Sequence, residues 1–139
     1  MNIKFTVFCR PQPQGSIRAF TPKGWNRPVL TSDNKDLKSY RQQVSIVALA
    51  AMRDLGMEPI PAKQAVSLTA KFYFQRPKSK KKDAAMTVRP DLDKIVRSTF
   101  DALTGIVFGD DSQVTELTAT KIYGVPERVE IEASTIELP

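Results

Sequence analysis

Apolar and polar residues alternate in several short stretches of the chain, which is the pattern of a half-buried β-strand. In residues 3–8, Ile3, Phe5 and Val7 fall on one face. Residues 66–74 alternate more regularly, and their predicted inward face consists of Val66, Leu68, Ala70, Phe72 and Phe74. Both stretches are therefore predicted to be strands.

Two further strands are predicted towards the C-terminus, at about 113–123 and 128–136. A turn at residues 124–127 (GVPE) joins them. The alternation in the first of the two breaks at residues 116–117, which indicates a β-bulge.

Apolar residues recur every three or four positions in two other segments, which is the helical period. The first helix is predicted to start near Ser32 or Asp33, either of which can cap it, and to end at Gly56. Its predicted core face comprises Leu37, Tyr40, Val44, Val47, Ala48, Ala51 and Leu55. The second helix is predicted over residues 91–103, ended by Thr104 and Gly105, with an inward face of Leu92, Val96, Thr99, Phe100 and Leu103.

The predicted elements follow the order β-α-β-α-β-β. This order predicts an α+β fold, in which a small mixed β-sheet packs against two main helices. A single domain is expected over residues 1–139.

Two segments without a regular period are rich in basic residues. Residues 10–31 predict a long loop with short extended pieces, and they carry Arg10, Arg18, Lys23 and Arg27 together with Phe20 and Trp25. Such a loop either contacts nucleic acid or is an ordinary surface loop whose aromatic side chains pack on the core. Residues 75–88 predict an exposed mobile loop that either binds DNA or is merely solvated; its basic residues are Arg76, Lys78, Lys80, Lys81 and Lys82.

The net charge of +6 favours a polyanionic partner, because basic surface gains affinity by displacing phosphate counterions. The single cysteine, Cys9, precludes an internal disulfide, fits a reducing compartment and is expected to be a buried, inert thiol. We find no secretory signal, and no apolar stretch approaches the roughly 18 residues of a membrane span. A cytoplasmic protein without a membrane partner is expected.

The chain contains no histidine, which excludes Ser–His and Cys–His nucleophiles and histidine-ligated zinc. In the segment RPDLDK, Asp91 is placed to cap the second helix and Asp93 lies in its first turn. Asp110 and Asp111 precede the next strand. Because Mg²⁺ and Mn²⁺ take carboxylate ligands, these four aspartates predict either a divalent-metal site or ordinary helix caps and a turn.

Two basic residues lie near these aspartates in sequence. Asp93, Arg97 and Asp101 are spaced four residues apart and share one polar face of the second helix. Arg97 either binds a phosphate or pairs with one of the two aspartates. Lys121, in the following strand, either directs its charge at a phosphate or faces solvent.

Two blocks of this sequence resemble the RusA family of Holliday junction resolvases, particularly its phage-borne branch. They are RPDLDKIVRSTFDALTG (residues 89–105) and GDDSQVTELTATK (residues 109–121). PQPQGSIRAF (residues 11–20) is more weakly similar to the family's basic proline-rich loop. The resemblance implies a homodimeric α+β endonuclease that binds four-way DNA junctions and nicks two strands symmetrically with Mg²⁺.

The resemblance also implies roles for individual residues. Residues matching Asp91, Asp93 and Asp111 bind the metal, and Asp110 matches a further acidic position. Where the family has a catalytic lysine, one helical turn after the second aspartate, this chain has Arg97. Arginine stabilises phosphate charge but transfers protons poorly, which puts a proton-transfer role in question.

Lys94 points in another direction on the helix and is at best a partial substitute for that lysine, whereas Lys121 matches a basic position of the family's next strand. We predict DNA contacts for Arg10, Arg18, Lys23, Arg76, Lys78, Lys80, Lys81, Lys82, Lys94 and Lys121. Two alternatives to a junction-resolving endonuclease remain open: a non-catalytic DNA-binding module, and a nuclease of the same chemistry acting on flaps, forks or RNA.

Overall fold

The chain folds around one central β-sheet with two long helices. A computed structural model describes residues 1–15, 17–32 and 34–137. In chain order the elements are β1 (Asn2–Val7), β2 (Ile17–Phe20), β3 (Val29–Ser32), α1 (Leu37–Asp54), β4 (Val66–Phe74), α2 (Leu92–Leu103), a 3₁₀ turn (Asp111–Gln113), β5 (Val114–Tyr123) and β6 (Arg128–Thr135). The predicted α+β class is confirmed.

The central sheet has the strand order β1-β6-β4-β5. Strand β6 runs antiparallel to both β1 and β4, while β5 runs parallel to β4, so the sheet is mixed as predicted. Parallel neighbours need a crossover connection, and α2 provides it. β5 and β6 follow one another in the chain but do not pair, because β4 lies between them. The edge strands are therefore β1 and β5.

The predicted bulge lies within one residue of an observed irregularity. Val66 pairs with Val114, but Ser67 pairs with Glu116, so β5 contains one extra residue, Thr115, at this point. The alternation of β4 is as predicted, and each of its five inward residues is at most 1% exposed. These side chains form the centre of the core.

Helix α1 begins later than its sequence predicted. Its N-cap is Asp36 and its first residue is Leu37, because Ser32 ends β3 instead. Asp33, the other predicted cap, lies outside the described residues. The end of the helix is as predicted, since Gly56 adopts φ +63°, the left-handed conformation that terminates helices. In the described part of the chain, no helix is both long and apolar enough to cross a membrane.

The buried faces of the two helices differ in part from the predicted ones. In α1, Leu55 is exposed and Met52 lies in the core instead, because the helix ends before Leu55. In α2 the buried residues are Ile95, Ser98, Thr99, Ala102 and Leu103, whereas the predicted Leu92, Val96 and Phe100 are only half-buried.

Ser98 is buried because its polar group is satisfied, which an apolar periodicity does not detect. Its hydroxyl donates to the carbonyls of Gln12 at 2.6 Å and Ile95 at 2.9 Å. A 2.8 Å hydrogen bond between Tyr40 and Thr99 joins the two helices inside the core.

The two basic segments are more ordered than their sequences predicted. Within residues 10–31, β2 and β3 pair antiparallel as a separate two-stranded hairpin. The segment 75–88 contains turns closed by backbone hydrogen bonds from Lys80 to Pro77 and from Ala84 to Lys81. Full exposure was wrong for this segment at three positions, because Met86 is buried in the core and Arg76 and Ala84 are half-buried.

Candidate active site

Asp91 and Asp93 occupy the N-terminus of α2, as predicted. Asp91 is the N-cap residue with extended backbone angles, and its side chain makes no capping hydrogen bond. Its carboxylate lies 3.8 Å from the Lys94 ammonium, an exposed ion pair that contributes little stability. Asp93 lies in the first turn and is exposed. Because Asp91 does not act as a cap through its side chain, its carboxylate is available to a ligand.

Lys121 holds the segment that leads into these aspartates. Its ammonium group donates to the carbonyl of Val88 at 2.6 Å and to that of Pro90 at 2.9 Å. Pairing with Phe72 places Lys121 on the helix-bearing side of β5, close to its C-terminal end. The sequence predicted that the Lys121 side chain points either towards a phosphate or towards solvent, and neither prediction describes these hydrogen bonds. Lys121 instead connects β5 to the residue before Asp91.

Asp110 and Asp111 lie at the 3₁₀ turn that precedes β5, and their carboxyl groups have different roles. Asp110 is the N-cap and accepts a hydrogen bond from the amide of Ser112 at 3.0 Å, which lowers its pKa. A hydrogen bond with the Asp110 carboxyl raises the pKa of Asp111, and desolvation and the negative charges of Asp110 and Asp101 raise it further. Asp110 is thus a capping residue, while Asp111 lies in a locally acidic environment that a cation would stabilise.

Gln113 positions this turn, and sequence reasoning assigned it no role. Its side-chain oxygen accepts from the amides of Gly109 and Asp110, both at 2.9 Å. Its amide nitrogen donates to carbonyls across the chain, those of Ile60, Pro61 and Gln64. The available signal was Gln113 three residues after Asp110, which is the spacing of a capping box.

The two aspartate pairs lie at opposite ends of α2. The negative charge of Asp101 contributes to the raised pKa of Asp111, so the two residues lie near each other. Asp101 lies ten residues after Asp91, or about 15 Å along the helix. The length of β5 separates the same two sites. Lys121, which is hydrogen-bonded to Pro90, lies seven residues after Val114, or about 23 Å along the strand. Within the described residues, no three acidic or cysteine side chains are grouped closely enough to hold one metal ion. Metal binding by Asp91, Asp93 and Asp111 stays a prediction.

Beside Asp91 an open cleft of about 500 Å³ separates the proline-rich segment 10–15 from the start of α2. Its charged lining residues are Arg10, Arg89, Asp91 and Lys94. The backbone amide of Gln14 donates to the carbonyl of Lys94 at 2.9 Å, which fixes the proline-rich segment against α2. Arg89 was not among the predicted DNA contacts.

The basic residues predicted to act on DNA differ in their exposure and in the contacts that they make within the protein. Arg10 pairs with Glu127 at 2.6 Å and lies over the Phe74 ring, so it is partly committed to the fold. Arg97 is exposed and makes no ion pair with any described residue, and Asp101 pairs with Arg41 at 3.6 Å instead. Arg76 is half-buried and donates to the carbonyl of Lys80. Among the predicted lysines, the exposed ones are Lys23, Lys78, Lys80, Lys81, Lys82 and Lys94; the side chain of Arg18 lies outside the described residues.

Comparison with known proteins assigns this arrangement to a family. The family model Endodeoxyribonuclease RusA matches residues 9–134, which include both aspartate pairs, the cleft and Lys121. The chain belongs to the RusA endodeoxyribonuclease family. The resemblance seen in the sequence is confirmed, and RusA membership supports, in general terms, an endonuclease that resolves Holliday junctions.

A similar protein exists in Bacillus subtilis (strain 168). The uncharacterized protein YqaN is 35% identical in an alignment 144 positions long, which covers 93% of each chain. The likeness therefore extends over the whole fold described above and is not limited to the aspartate-containing segments.

Proposed function

We propose that this RusA-family protein is a divalent-metal-dependent endonuclease that hydrolyses phosphodiester bonds in four-way DNA junctions, acting as a homodimer with paired cuts. The observation that carries the proposal is Asp91, which lies within the residues matched by the RusA model. It is exposed at a helix N-terminus beside a basic cleft, and its carboxylate makes no capping hydrogen bond.

Asp91, Asp93 and Asp111 would hold Mg²⁺ or Mn²⁺. The chemistry of this donor set fits such ions, because Mg²⁺ is commonly bound by one or two carboxylates together with water and substrate phosphate oxygens. When bound, the ion supplies Lewis-acid activation of water and neutralisation of phosphate charge. Asp110 supports Asp111 by capping the 3₁₀ turn, since its own carboxylate is engaged with the Ser112 amide.

The chain's own residues would position the substrate strand. Arg89 and Lys94 line the cleft beside Asp91 and give it positive charge for a phosphate. Arg97, exposed and without an ion pair among the described residues, would stabilise the charge of the phosphate under attack. It cannot readily exchange a proton, so protonation of the leaving oxygen is assigned to solvent. The exposed lysines of residues 75–88 and of the β2–β3 hairpin would bind the DNA arms.

Cleavage of an end-labelled four-way junction with Mg²⁺, Mn²⁺ or EDTA tests this function. Wild type is compared with Asp93→Asn and with Asp54→Asn, a matched charge removal at the exposed C-terminal end of α1. We expect paired nicks that require the metal, that Asp93→Asn abolishes and that Asp54→Asn leaves unchanged.

Linear duplex, flap and fork substrates in the same series define the specificity. Equal cutting of flaps and junctions would replace junction resolution with a broader branched-DNA nuclease activity. Junction binding without any metal-dependent product would instead make the protein a non-catalytic DNA-binding module.

A further inference from the structure

Two contacts fix the Arg10 side chain beside the candidate active site. Its Nη1 donates to the Glu127 carboxylate at 2.6 Å, and its guanidinium carbon lies 5.1 Å from the centre of the Phe74 ring, within the range of a cation–π interaction. Arg10 and Asp91 both line the open cleft next to the start of α2. One cation of this cleft is therefore already held by other parts of the protein.

Glu127 is the fixed member of this ion pair. Its Oε2 accepts a second hydrogen bond from the backbone amide of Gln75 at 3.1 Å, directly after the end of β4. Glu127 immediately precedes β6, which pairs with β4, so the carboxylate and the Phe74 ring lie at the same end of the central sheet. The Glu127 side chain is 26% exposed, whereas that of Arg10 is 52% exposed. Arginine is thus the partner that reaches solvent.

The contact with Glu127 leaves Arg10 able to bind a phosphate. A guanidinium carries several N–H donors in a planar fork, and the hydrogen bond to Glu127 uses Nη1. The charged residues that line the cleft are three cations and one carboxylate, so its lining is positive overall; they are Arg10, Arg89, Lys94 and Asp91. The cleft therefore attracts the backbone of a DNA strand.

A carboxylate paired with a DNA-binding arginine has two opposite effects on affinity. Its charge repels phosphates, but this repulsion is screened over about 8 Å at physiological salt. Its contact also fixes a long side chain before DNA binds, which is worth about 2- to 10-fold in affinity for one rotamer-rich side chain. Glu127 is neutralised by two donors, Arg10 and the Gln75 amide, so the fixing effect should exceed the repulsion.

We propose that Glu127 is a positioning residue for DNA binding. It holds the Arg10 guanidinium against Phe74, so that the remaining donors of Arg10 bind a backbone phosphate of the strand that enters the cleft beside Asp91. This inference rests on the proposed function, because it assigns the cleft to the substrate strand. Removal of this acidic residue should weaken the binding of a polyanion, which is the opposite of the effect of its charge alone.

Fluorescence anisotropy of a labelled four-way junction in EDTA tests the sign of this effect without cleavage. We expect Glu127→Ala to bind about 2- to 10-fold more weakly than wild type. Glu58→Ala removes the same charge from an exposed position and should not weaken binding. Glu127→Gln keeps an acceptor oxygen and tests the inference if the alanine variant does not fold; it should weaken binding in the same direction. Unchanged or tighter binding by the folded Glu127 variants would overturn the inference.

A double-mutant cycle shows whether Glu127 acts through Arg10. Arg10→Met should bind about 10-fold more weakly than wild type, because one charge-assisted hydrogen bond to phosphate is lost. The slope of log affinity against log salt should also become shallower by about 0.9. Adding Glu127→Ala to Arg10→Met should cause no further loss. An equal loss in both backgrounds would assign the effect to the Gln75 contact and contradict the positioning role.

Cleavage kinetics with Mg²⁺ provide a second readout. A phosphate contact outside the bond that is cut forms equally in the ground and transition states, so Glu127→Ala should raise KM and leave kcat unchanged. A lower kcat at unchanged KM would contradict the inference. If the wild type binds junctions but does not cut them, the nuclease function fails, while the binding cycle still decides the role of Glu127. No junction binding by the wild type would overturn both.

Discussion

The ammonium group of Lys121 donates a hydrogen bond to the carbonyl of Pro90 at 2.9 Å and connects an edge strand to the residue before Asp91. A second bond, to Val88, holds the preceding turn. Because these bonds act on the backbone, they determine where the α2 N-terminus and its carboxylates lie. Lys121 is therefore a positioning residue of the proposed centre.

Replacing Lys121 with methionine is expected to reduce metal-dependent cleavage by about 10- to 100-fold, the usual effect of removing a residue that supports metal ligands. The Mg²⁺ concentration for half-maximal activity should rise as well. Lys121→Arg keeps the donors and should recover part of the activity. Lys71→Met, at an exposed lysine of β4, is the matched charge control. An unchanged Mg²⁺ requirement in Lys121→Met would exclude the positioning role.

Replacing Gln113 with leucine is expected to lower the free energy of unfolding by about 1–3 kcal/mol, because the substitution leaves several backbone groups without partners. Urea denaturation measures this change. Gln75→Leu, at an exposed glutamine after β4, should be close to neutral. Equal stability of the two variants would show that water replaces the lost hydrogen bonds at Gln113.

Trp25 is 60% exposed at the tip of the β2–β3 hairpin, between Lys23 and Arg27. A backbone hydrogen bond from Trp25 to Pro22 and the positive φ of Gly24 define the turn that presents it. Aromatic side chains between cations bind exposed nucleobases by stacking. We therefore expect this part of the hairpin to contact DNA bases.

The single tryptophan makes that contact measurable. Its fluorescence should be quenched by a four-way junction in EDTA, and Trp25→Ala should weaken binding by about 5- to 150-fold, which corresponds to roughly 1–3 kcal/mol of stacking. Phe8→Ala removes another exposed aromatic ring and should leave affinity unchanged. Unquenched fluorescence with unaltered affinity for Trp25→Ala would show that the hairpin does not touch bases.

Cys9 is expected to react slowly with thiol reagents. Burial raises the pKa of its thiol from 9.0 to about 11, which reduces the thiolate fraction near pH 8 by about 100-fold. Alkylation by iodoacetamide should therefore be at least that much slower than for N-acetylcysteine, and should accelerate as the pH approaches 11. Similar rates for the folded protein and the small thiol would contradict this environment.

Local sequence patterns predicted the elements well where burial follows a simple period. β4 is the clearest example: five alternating apolar side chains make a strand with one buried face wherever it lies in the sheet. Asp91 and Asp93 were also placed correctly, because caps and first turns depend on neighbours only a few residues away. The face of α2 was less accurate, since Ser98 is buried through hydrogen bonds that involve the distant Gln12.

Charge, the lack of histidine, the order of elements and the aspartate motifs were determined by the sequence alone, because each depends on composition or on short-range spacing. Tertiary structure alone decided that β4 separates β5 from β6, that Lys121 binds backbone carbonyls, and that Asp111 lies at the far end of α2 from Asp91. Spacing along the chain does not determine these relationships, because a parallel β-α-β crossover places residues that are 20 positions apart at opposite ends of one helix.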